Sequence, residues 1–219
     1  MSRAGQCIEN PATGERVVVR VGTEDTPDDR MVAELFLRPG GRVSTAHVHP
    51  TVEERFTAIS GQFGLRLGEA RSIAENGRTY EVPPGTIHDF WNAGSTDAQI
   101  VIEIAPARRF EEAVRNSYGF AYDGLTNATG RPRPLQLAAW VDEFGDVLYP
   151  ASPPPPVQRV LIPALAAIAR RRGLRGSYER YRDWVGPTID VDPWVSPTES
   201  ALSAPPPDSA FTPPPSSHG

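Results

Sequence analysis

Short runs of β-branched and other apolar residues, separated by turn-forming residues, fill the first half of the chain. Glycine, proline, asparagine or aspartate lies close after each run, and this punctuation is typical of the strands of a sandwich or barrel. The predicted strands cover residues 16–21, 31–37, 43–49, 54–60, 62–67, 70–74, 79–82, 86–91 and 98–104. Asn76-Gly77 has the sequence of a tight hairpin turn, so we expect it to join the strands on its two sides. The pattern predicts a mainly β domain.

The period of the apolar positions changes after Pro106. They recur every three or four residues, as on one face of an α-helix, and predict helices within 107–118, 135–148 and 157–172. The three arginines at 170–172 suit the negative end of the helix dipole, and Gly173 is predicted to end the last helix. Pro163 is expected to kink that helix or to mark its true start. Residues 153–156 precede it and are predicted to form a stiff polyproline spacer.

The last part of the chain, residues 187–219, is rich in proline, serine and aspartate. Such a composition offers too little apolar surface to offset the entropy lost on ordering, so we expect a disordered Pro-rich tail. Trp184 and Trp194 flank its start, and one or both are expected to dock it onto the domain. The predicted organisation is an N-terminal arm at 1–14, a β-barrel at 15–106, an α-helical extension at 107–186 and the tail at 187–219.

The composition narrows the classes of protein to which the chain can belong. Its 219 residues suffice for one ordinary domain with extensions. A net charge of −5 argues against a nucleic-acid-binding protein, which is usually basic. All 22 basic residues are arginine, so catalysis through a lysine Schiff base is excluded. Cys7 is the only cysteine, and since no nearby residue would lower the pKa of its thiol, we expect it to be inert.

No segment of the sequence predicts secretion or membrane insertion. The first fifteen residues are polar and lack the apolar core of a signal peptide. The longest mostly apolar run, residues 160–169, is shorter than the roughly 18–20 residues that span a bilayer. We therefore expect a cytoplasmic protein that binds neither membranes nor nucleic acids.

Three of the four histidines lie close together in the sequence. His47 and His49 are two residues apart, so their side chains point to the same face of a strand. Glu54 begins the next predicted strand, and His88 lies on a third. Three imidazoles and a carboxylate that converge would bind a divalent first-row metal and leave about two positions of an octahedral shell open. The fourth histidine, His218, lies in the tail and is not a ligand candidate.

The alternative interpretation is that these histidines are ordinary core residues, as a lone histidine in a strand usually is. Here three histidines fall into two regularly spaced groups, although the whole chain contains only four. This concentration favours a metal site over incidental placement.

The same segment resembles the cupin family, because it contains both of that family's motifs in the right order. The first, Gly-x5-His-x-His-x4-Glu-x6-Gly, falls on Gly41, His47, His49, Glu54 and Gly61. The second, Gly-x5-Pro-x-Gly-x2-His-x3-Asn, falls on Gly77, Pro83, Gly85, His88 and Asn92. The resemblance covers roughly residues 15–106. It implies a cupin jelly-roll β-barrel with His47, His49, Glu54 and His88 as metal ligands.

Strand alternation also predicts the wall of a cavity beside the metal. Side chains two residues apart on a strand share a face, so the neighbours of the four ligands at that spacing should point inward with them. The cavity-facing residues predicted in this way are Val43, Thr45, Phe56, Ala58 and Phe90. A mostly apolar wall of this kind would suit a flat or apolar small-molecule substrate. The alternative is that these side chains simply fill a small barrel.

Three functions are compatible with this site. We favour a metal-dependent enzyme, most of all a non-haem dioxygenase that acts on an aromatic or enolic molecule at Fe(II). Glu54 would then be an anionic ligand that becomes a catalytic base when it leaves the metal. The first alternative is a redox-neutral polyketide cyclase or isomerase, in which the metal acts as a Lewis acid. The second is a non-catalytic cupin that binds a metal or ligand.

The sequence leaves the identity of the metal open, since zinc, manganese, nickel and copper also accept this donor set. Cupins of this type often pack into pairs through sheet edges and apolar helices. The resemblance therefore implies a homodimer.

Overall fold

The computed structural model describes residues 2–182 and 187–193. Its strands are β1 (Cys7–Asn10), β2 (Glu15–Val21), β3 (Met31–Leu37), β4 (His47–Val48), β5 (Glu53–Ser60), β6 (Phe63–Leu67), β7 (Ala70–Ile73), β8 (Thr79–Val82), β9 (His88–Asn92), β10 (Ala98–Ala105) and β11 (Tyr149–Pro150). They form two antiparallel sheets, one in the order β1-β2-β3-β10-β5-β8 and the other in the order β11-β4-β9-β6-β7. The mainly β class predicted from the sequence is confirmed.

The main core lies between the two sheets. Every residue of β3 is buried, because β2 and β10 flank this strand on its two sides. Phe56 on β5, Phe63 on β6 and Phe90 on β9 meet with ring centroids 5.7 to 5.9 Å apart. Aromatic rings at this separation attract one another in addition to burying apolar surface. This triplet joins the two sheets, since β5 belongs to one and β6 and β9 to the other.

The described part of the chain also contains four helices: α1 (Arg108–Tyr122), α2 (Pro134–Phe144), α3 (Pro155–Arg171) and α4 (Glu179–Arg182). A second core, built on Phe120, Trp140, Phe144 and Tyr181, holds α1, α2 and α4 together. α1 also packs on β1, and α3 packs on α2. None of the helices in this part of the chain combines the length and apolarity that crossing a bilayer requires.

The turn at Asn76-Gly77 does not close the hairpin expected there. β7 pairs with β6 and β8 pairs with β5, so the turn passes the chain from one sheet to the other. Gly77 has a φ of +84°, as its place in a tight turn requires. The turn signal was correct, but the pairing inferred from it was wrong, because a turn reverses the chain without choosing the partner strand.

Both end segments of the described chain contact the first sheet. The segment expected to be a loose arm contains β1, which pairs with β2, and Cys7 within it is buried. Residues 187–193, expected in the disordered tail, return to this strand: Pro187 accepts a hydrogen bond from the Cys7 amide, and Ile189 donates one to Gly5. Apolar packing explains this order, since Ile189 contacts the cluster around Cys7. The rest of the predicted tail, with Trp184, Trp194 and His218, lies outside the described residues.

α3 begins within the segment that was expected to form a polyproline spacer. Pro155 and Pro156 form its first turn, where the missing amide hydrogens need no partner. Pro163 lies inside the helix rather than at its start. The helix ends where the sequence predicted, at the arginine run, and Gly173 follows with a φ of +79°.

Candidate metal centre

His47, His49, Glu54 and His88 come together between the two sheets. β4 and β9 place His47 opposite His88, whereas Glu54 comes from β5 in the facing sheet. One possible ligand atom from each of the four residues lies within 4.8 Å of the others. All four side chains are buried, none with more than 6% of its surface exposed. The structure thus unites the four residues that the sequence singled out.

Each imidazole of the cluster is oriented by a hydrogen bond between its Nδ1 and a backbone carbonyl. The partners are the carbonyl of Thr45 for His47 (3.0 Å), of Val147 for His49 (2.9 Å) and of Thr86 for His88 (3.0 Å). A carbonyl can only accept, so Nδ1 carries the proton and the neutral ring presents a lone pair at Nε2. Histidines that bind metals are held in this way.

The inward-facing atoms of the cluster lack enough hydrogens to satisfy one another. Among the described residues, His49 Nε2, His88 Nε2 and Glu54 Oε2 are buried without an acceptable hydrogen bond. The distance to Glu54 Oε2 is 2.9 Å from His88 Nε2 and 3.5 Å from His49 Nε2. At these distances lone pairs repel unless a proton or a cation lies between them. The donor set therefore favours a bound positive charge.

The pKa values of the cluster follow from the same crowding. Burial lowers the pKa of His47 well below its ordinary value, and the neighbouring His88 and His49 lower it further. Burial alone would raise the pKa of Glu54, but His49 and His88 together lower it to about 2. Burial also opposes protonation of His88, yet contact with the Glu54 carboxylate raises its pKa. Glu54 is thus an anion, and without a metal ion His88 is the group that takes up a proton.

The dimensions of the cluster fit a single metal ion. Nitrogen and oxygen ligands bound about 2.0–2.2 Å from one ion lie at most about 4.4 Å apart. The observed limit of 4.8 Å exceeds this by a few tenths of an ångström. Small side-chain shifts are enough to close that gap.

A cavity of about 140 Å³ lies beside the cluster, and His47, His49 and Glu54 form part of its wall. Val43, Thr45 and Phe90 line it as expected, although the first two precede the two-residue strand β4. Phe56 and Ala58, which were expected on the same wall, are completely buried in the core between the sheets. They lie farther along β5, where the two sheets pack directly on each other.

The sequence did not reveal the wall that α1 and β2 contribute to the cavity. The Phe110 ring on α1 lies 5.4 Å from the His49 ring, and Tyr118 lines the cavity two turns later. Glu15 lines it together with Val17, the residue two positions further along β2. The sequence did contain a sign that Glu15 points inward, since this residue shares a strand face with apolar neighbours. No local pattern could have brought α1 to this place.

Comparison with protein families supports the resemblance that the two motifs indicated. The family model described as a cupin domain matches residues 34–104. This range includes all four residues of the cluster. No curated protein sequence matches the chain.

Several solved structures share part of the fold at low sequence identity. A predicted oxalate decarboxylase from Thermotoga maritima is 20% identical over 47% of this chain and 92% of its own, with a TM-score of 0.41. An RmlC-like cupin from Shewanella frigidimarina is 18% identical over 47% and 86%, with a TM-score of 0.40. The polyketide cyclase RemF from Streptomyces resistomycificus is 18% identical over 48% and 69%, with a TM-score of 0.39.

The family match coincides with the two sheets and with both histidine motifs. Residues 34–104 supply β4 to β9 in full, most of β3 and β10, and every residue of the cluster. Residues 34–104 are therefore a cupin domain.

Proposed function

We propose that the protein is a metal-dependent enzyme that acts on a small, mostly apolar organic molecule. One observation carries this proposal: three imidazoles with oriented Nε2 atoms and one anionic carboxylate converge at the wall of an apolar cavity. A site that only stabilised the fold would not need to face a cavity.

In this proposal His47, His49 and His88 hold the metal through Nε2, and Glu54 holds it through its carboxylate. Bound there, a divalent ion would supply a Lewis acid and, if it were iron, a centre that reacts with dioxygen. The backbone carbonyls keep the rings in place and fix their tautomers. Glu54 offsets one positive charge and can accept a proton once it is released from the ion.

The cavity supports a small substrate built around a single ring. Its volume of about 140 Å³ is close to that of an engineered apolar cavity, roughly 150 Å³, that binds benzene. Its wall near the cluster includes Val43, Phe90 and Phe110, which offer apolar contacts and an aromatic face. Aromatic and enolic molecules match this environment and carry an oxygen atom that a metal can bind.

Among metal-dependent reactions we favour dioxygenation with Fe(II). Four protein ligands leave about two positions of an octahedral shell for substrate and dioxygen together. The buried position of the cluster supports this choice, because a reactive iron centre must be kept from bulk water.

The first test is elemental analysis of the protein purified without added metal. We expect close to one metal ion per chain, and a loss of most of it in the His49→Ala and His88→Ala variants. His218→Ala is the matched control, since it removes the histidine outside both motifs and should leave the metal content unchanged. Full metal content in both cluster variants would show that the proposed ligands are wrong.

The second test compares the iron-loaded protein with and without oxygen on a panel of phenols and enols. We expect turnover that consumes dioxygen and stops under anaerobic conditions. Zinc or nickel in the purified protein, with turnover but no oxygen uptake, would exclude dioxygenation and indicate a cyclase or isomerase. A bound metal without turnover of any compound would leave a binding role.

We also propose that the protein forms a homodimer through α3. Val157, Val160, Leu161 and Ile168 are each at least 40% exposed, and a clustered apolar surface of this kind is typical of interaction sites. Light scattering should give the mass of a dimer for the wild type and of a monomer for Val160→Glu. Ile87→Glu, at a similarly exposed position outside the helices, is the control and should stay dimeric. A monomeric wild type at micromolar concentration would refute the proposal.

A further inference from the structure

The cavity contains a second polar group away from the metal cluster, the carboxyl group of Glu15. Glu15 begins β2, and its side chain lies on the same strand face as Val17 and Val19, which also line the cavity. Only 6% of its surface is exposed. Thr13 Oγ1 donates a hydrogen bond of 2.5 Å to Glu15 Oε2, and the hydroxyl group of Tyr118 on α1 faces the same carboxyl group.

A structural role alone explains this arrangement poorly. Burying a carboxyl group costs free energy that an apolar side chain would not cost, and β2 and α1 could pack on each other without it. Burial raises the pKa of Glu15 to about 7, although its contacts with Thr13 and Tyr118 oppose the shift. Near neutral pH the carboxyl group can therefore be protonated, and in that form it both donates and accepts hydrogen bonds.

Helix α1 shows how far this group lies from the metal cluster. Phe110 contacts His49 at one end of the helix, and Tyr118 faces Glu15 at the other. These two residues are eight positions apart, or about 12 Å along an α-helix. The register of the sheet agrees, because Glu54 lies level with Ile104 and Met31, whereas Glu15 pairs with Leu37 at the opposite end of β3. The metal cluster and Glu15 therefore lie toward opposite ends of a cavity whose exposed wall is mostly apolar and whose lining also includes the Glu111–Arg115 ion pair.

We propose that Glu15 and Tyr118 bind an oxygen atom of the substrate at the end of the cavity opposite the metal. This inference rests on the proposed function and narrows the substrate class. The substrate is a slender molecule with an oxygen group for the metal at one end, an apolar ring or chain in the middle, and a hydroxyl or carbonyl group at the other end. Glu15 and Tyr118 act as positioning residues and take no part in the reaction at the metal.

The experiment uses two probes that differ by one hydroxyl group, 3-phenylpropanoate and 3-(4-hydroxyphenyl)propanoate. Their affinities for the zinc-loaded full-length protein are measured by isothermal titration calorimetry. The carboxylate of each probe suits the metal end, and only the second probe carries a hydroxyl group for Glu15 and Tyr118. We expect the hydroxylated probe to bind about tenfold more tightly, as one well-made hydrogen bond allows.

Variants at position 15 separate recognition from packing. Glu15→Leu should abolish the preference for the hydroxylated probe and leave the affinity for 3-phenylpropanoate unchanged. Glu15→Gln keeps a group that donates and accepts hydrogen bonds, and should retain most of the preference. An undiminished preference in Glu15→Leu would overturn the inference, as would a wild type that binds both probes equally or binds neither.

Elemental analysis of each sample distinguishes failure of the inference about Glu15 from failure of the proposed function. A full metal content without any preference between the probes would refute the role of Glu15 and leave the metal site standing. Absence of metal from the wild type would refute the proposed function, while a preference for the hydroxylated probe in that metal-free protein would still support the role of Glu15.

Discussion

Single residues of this protein show how burial and partners change acid strength. Glu54 and Glu15 are both buried carboxyl groups, yet the pKa of Glu54 falls to about 2 and that of Glu15 rises to about 7. The imidazoles around Glu54 stabilise its charge when they share a proton or a cation with it, whereas Glu15 has only hydroxyl groups, which compensate less for lost hydration. The sequence predicted Glu54 through its spacing from His47 and His49. It gave no comparable sign for Glu15, whose environment comes from a distant helix.

Glu15 should make stability depend on pH in a defined window. Between about pH 4.5 and pH 7 the folded protein holds a proton on Glu15 that the unfolded chain releases, so raising the pH lowers the free energy of unfolding. The loss is complete above pH 7 and amounts to about 3 kcal/mol. Glu15→Gln cannot titrate, so its free energy of unfolding relative to the wild type should rise by that amount between pH 4.5 and pH 8.

Urea denaturation of both proteins at several pH values measures this difference. Glu69→Gln, at an exposed position, controls for the removal of one carboxylate from the chain. A constant difference in free energy between Glu15→Gln and the wild type across the window would contradict the assignment.

At the scale of elements, Gly119 lets α4 pack closely on α1. A Cβ atom at this position would lie 2.2 Å from Cδ1 of Tyr181, whose side chain is fully buried. The Tyr181 ring has little room to move, because its hydroxyl donates to Asp123 and accepts a hydrogen bond from Arg180. Alanine favours a helix over glycine by about 1 kcal/mol, whereas overpacking a fixed core costs about 1–3 kcal/mol. The clash with Tyr181 should therefore outweigh the gain in helix propensity.

We therefore expect Gly119→Ala to lower the free energy of unfolding by about 1–2 kcal/mol. Ser117→Ala, two residues earlier on the same helix, introduces no new atoms and serves as the control. Thermal or urea denaturation measures both. A stabilised Gly119→Ala variant would show that helix propensity outweighs the contact with Tyr181.

The elements also show where local sequence stops being informative. Alternation located most strands of the two sheets, and the change of period located the helices, because both patterns follow from burial of one face. Strand partners depend on contacts between distant segments, which explains the error at Asn76-Gly77. β1 was missed for a similar reason, since its short sequence becomes a strand through pairing with β2 and contact with residues 187–193.

For the whole molecule, the two ends of the described chain hold each other in place. Gln6 forms a bridge with Thr188, and Ile189 and Val191 pack on the cluster that contains Cys7. Removing residues 187–193 would uncover that cluster and the edge of β1. The composition of the chain from 187 onward had predicted a disordered tail instead.

The thiol of Cys7 offers a direct measure of this contact. It is 4% exposed, and burial raises its pKa to about 11, so in the intact protein it should react very slowly with a thiol reagent at pH 8. A chain that ends at residue 186 should lose the cover over Cys7, react at least tenfold faster and unfold at a lower temperature. A chain that ends at residue 193 keeps the cover and is the matched control. Because Cys7 is the only cysteine, every labelled molecule reports on this one site. Equal labelling rates in the two shortened chains would show that residues 187–193 do not protect the start of the first sheet.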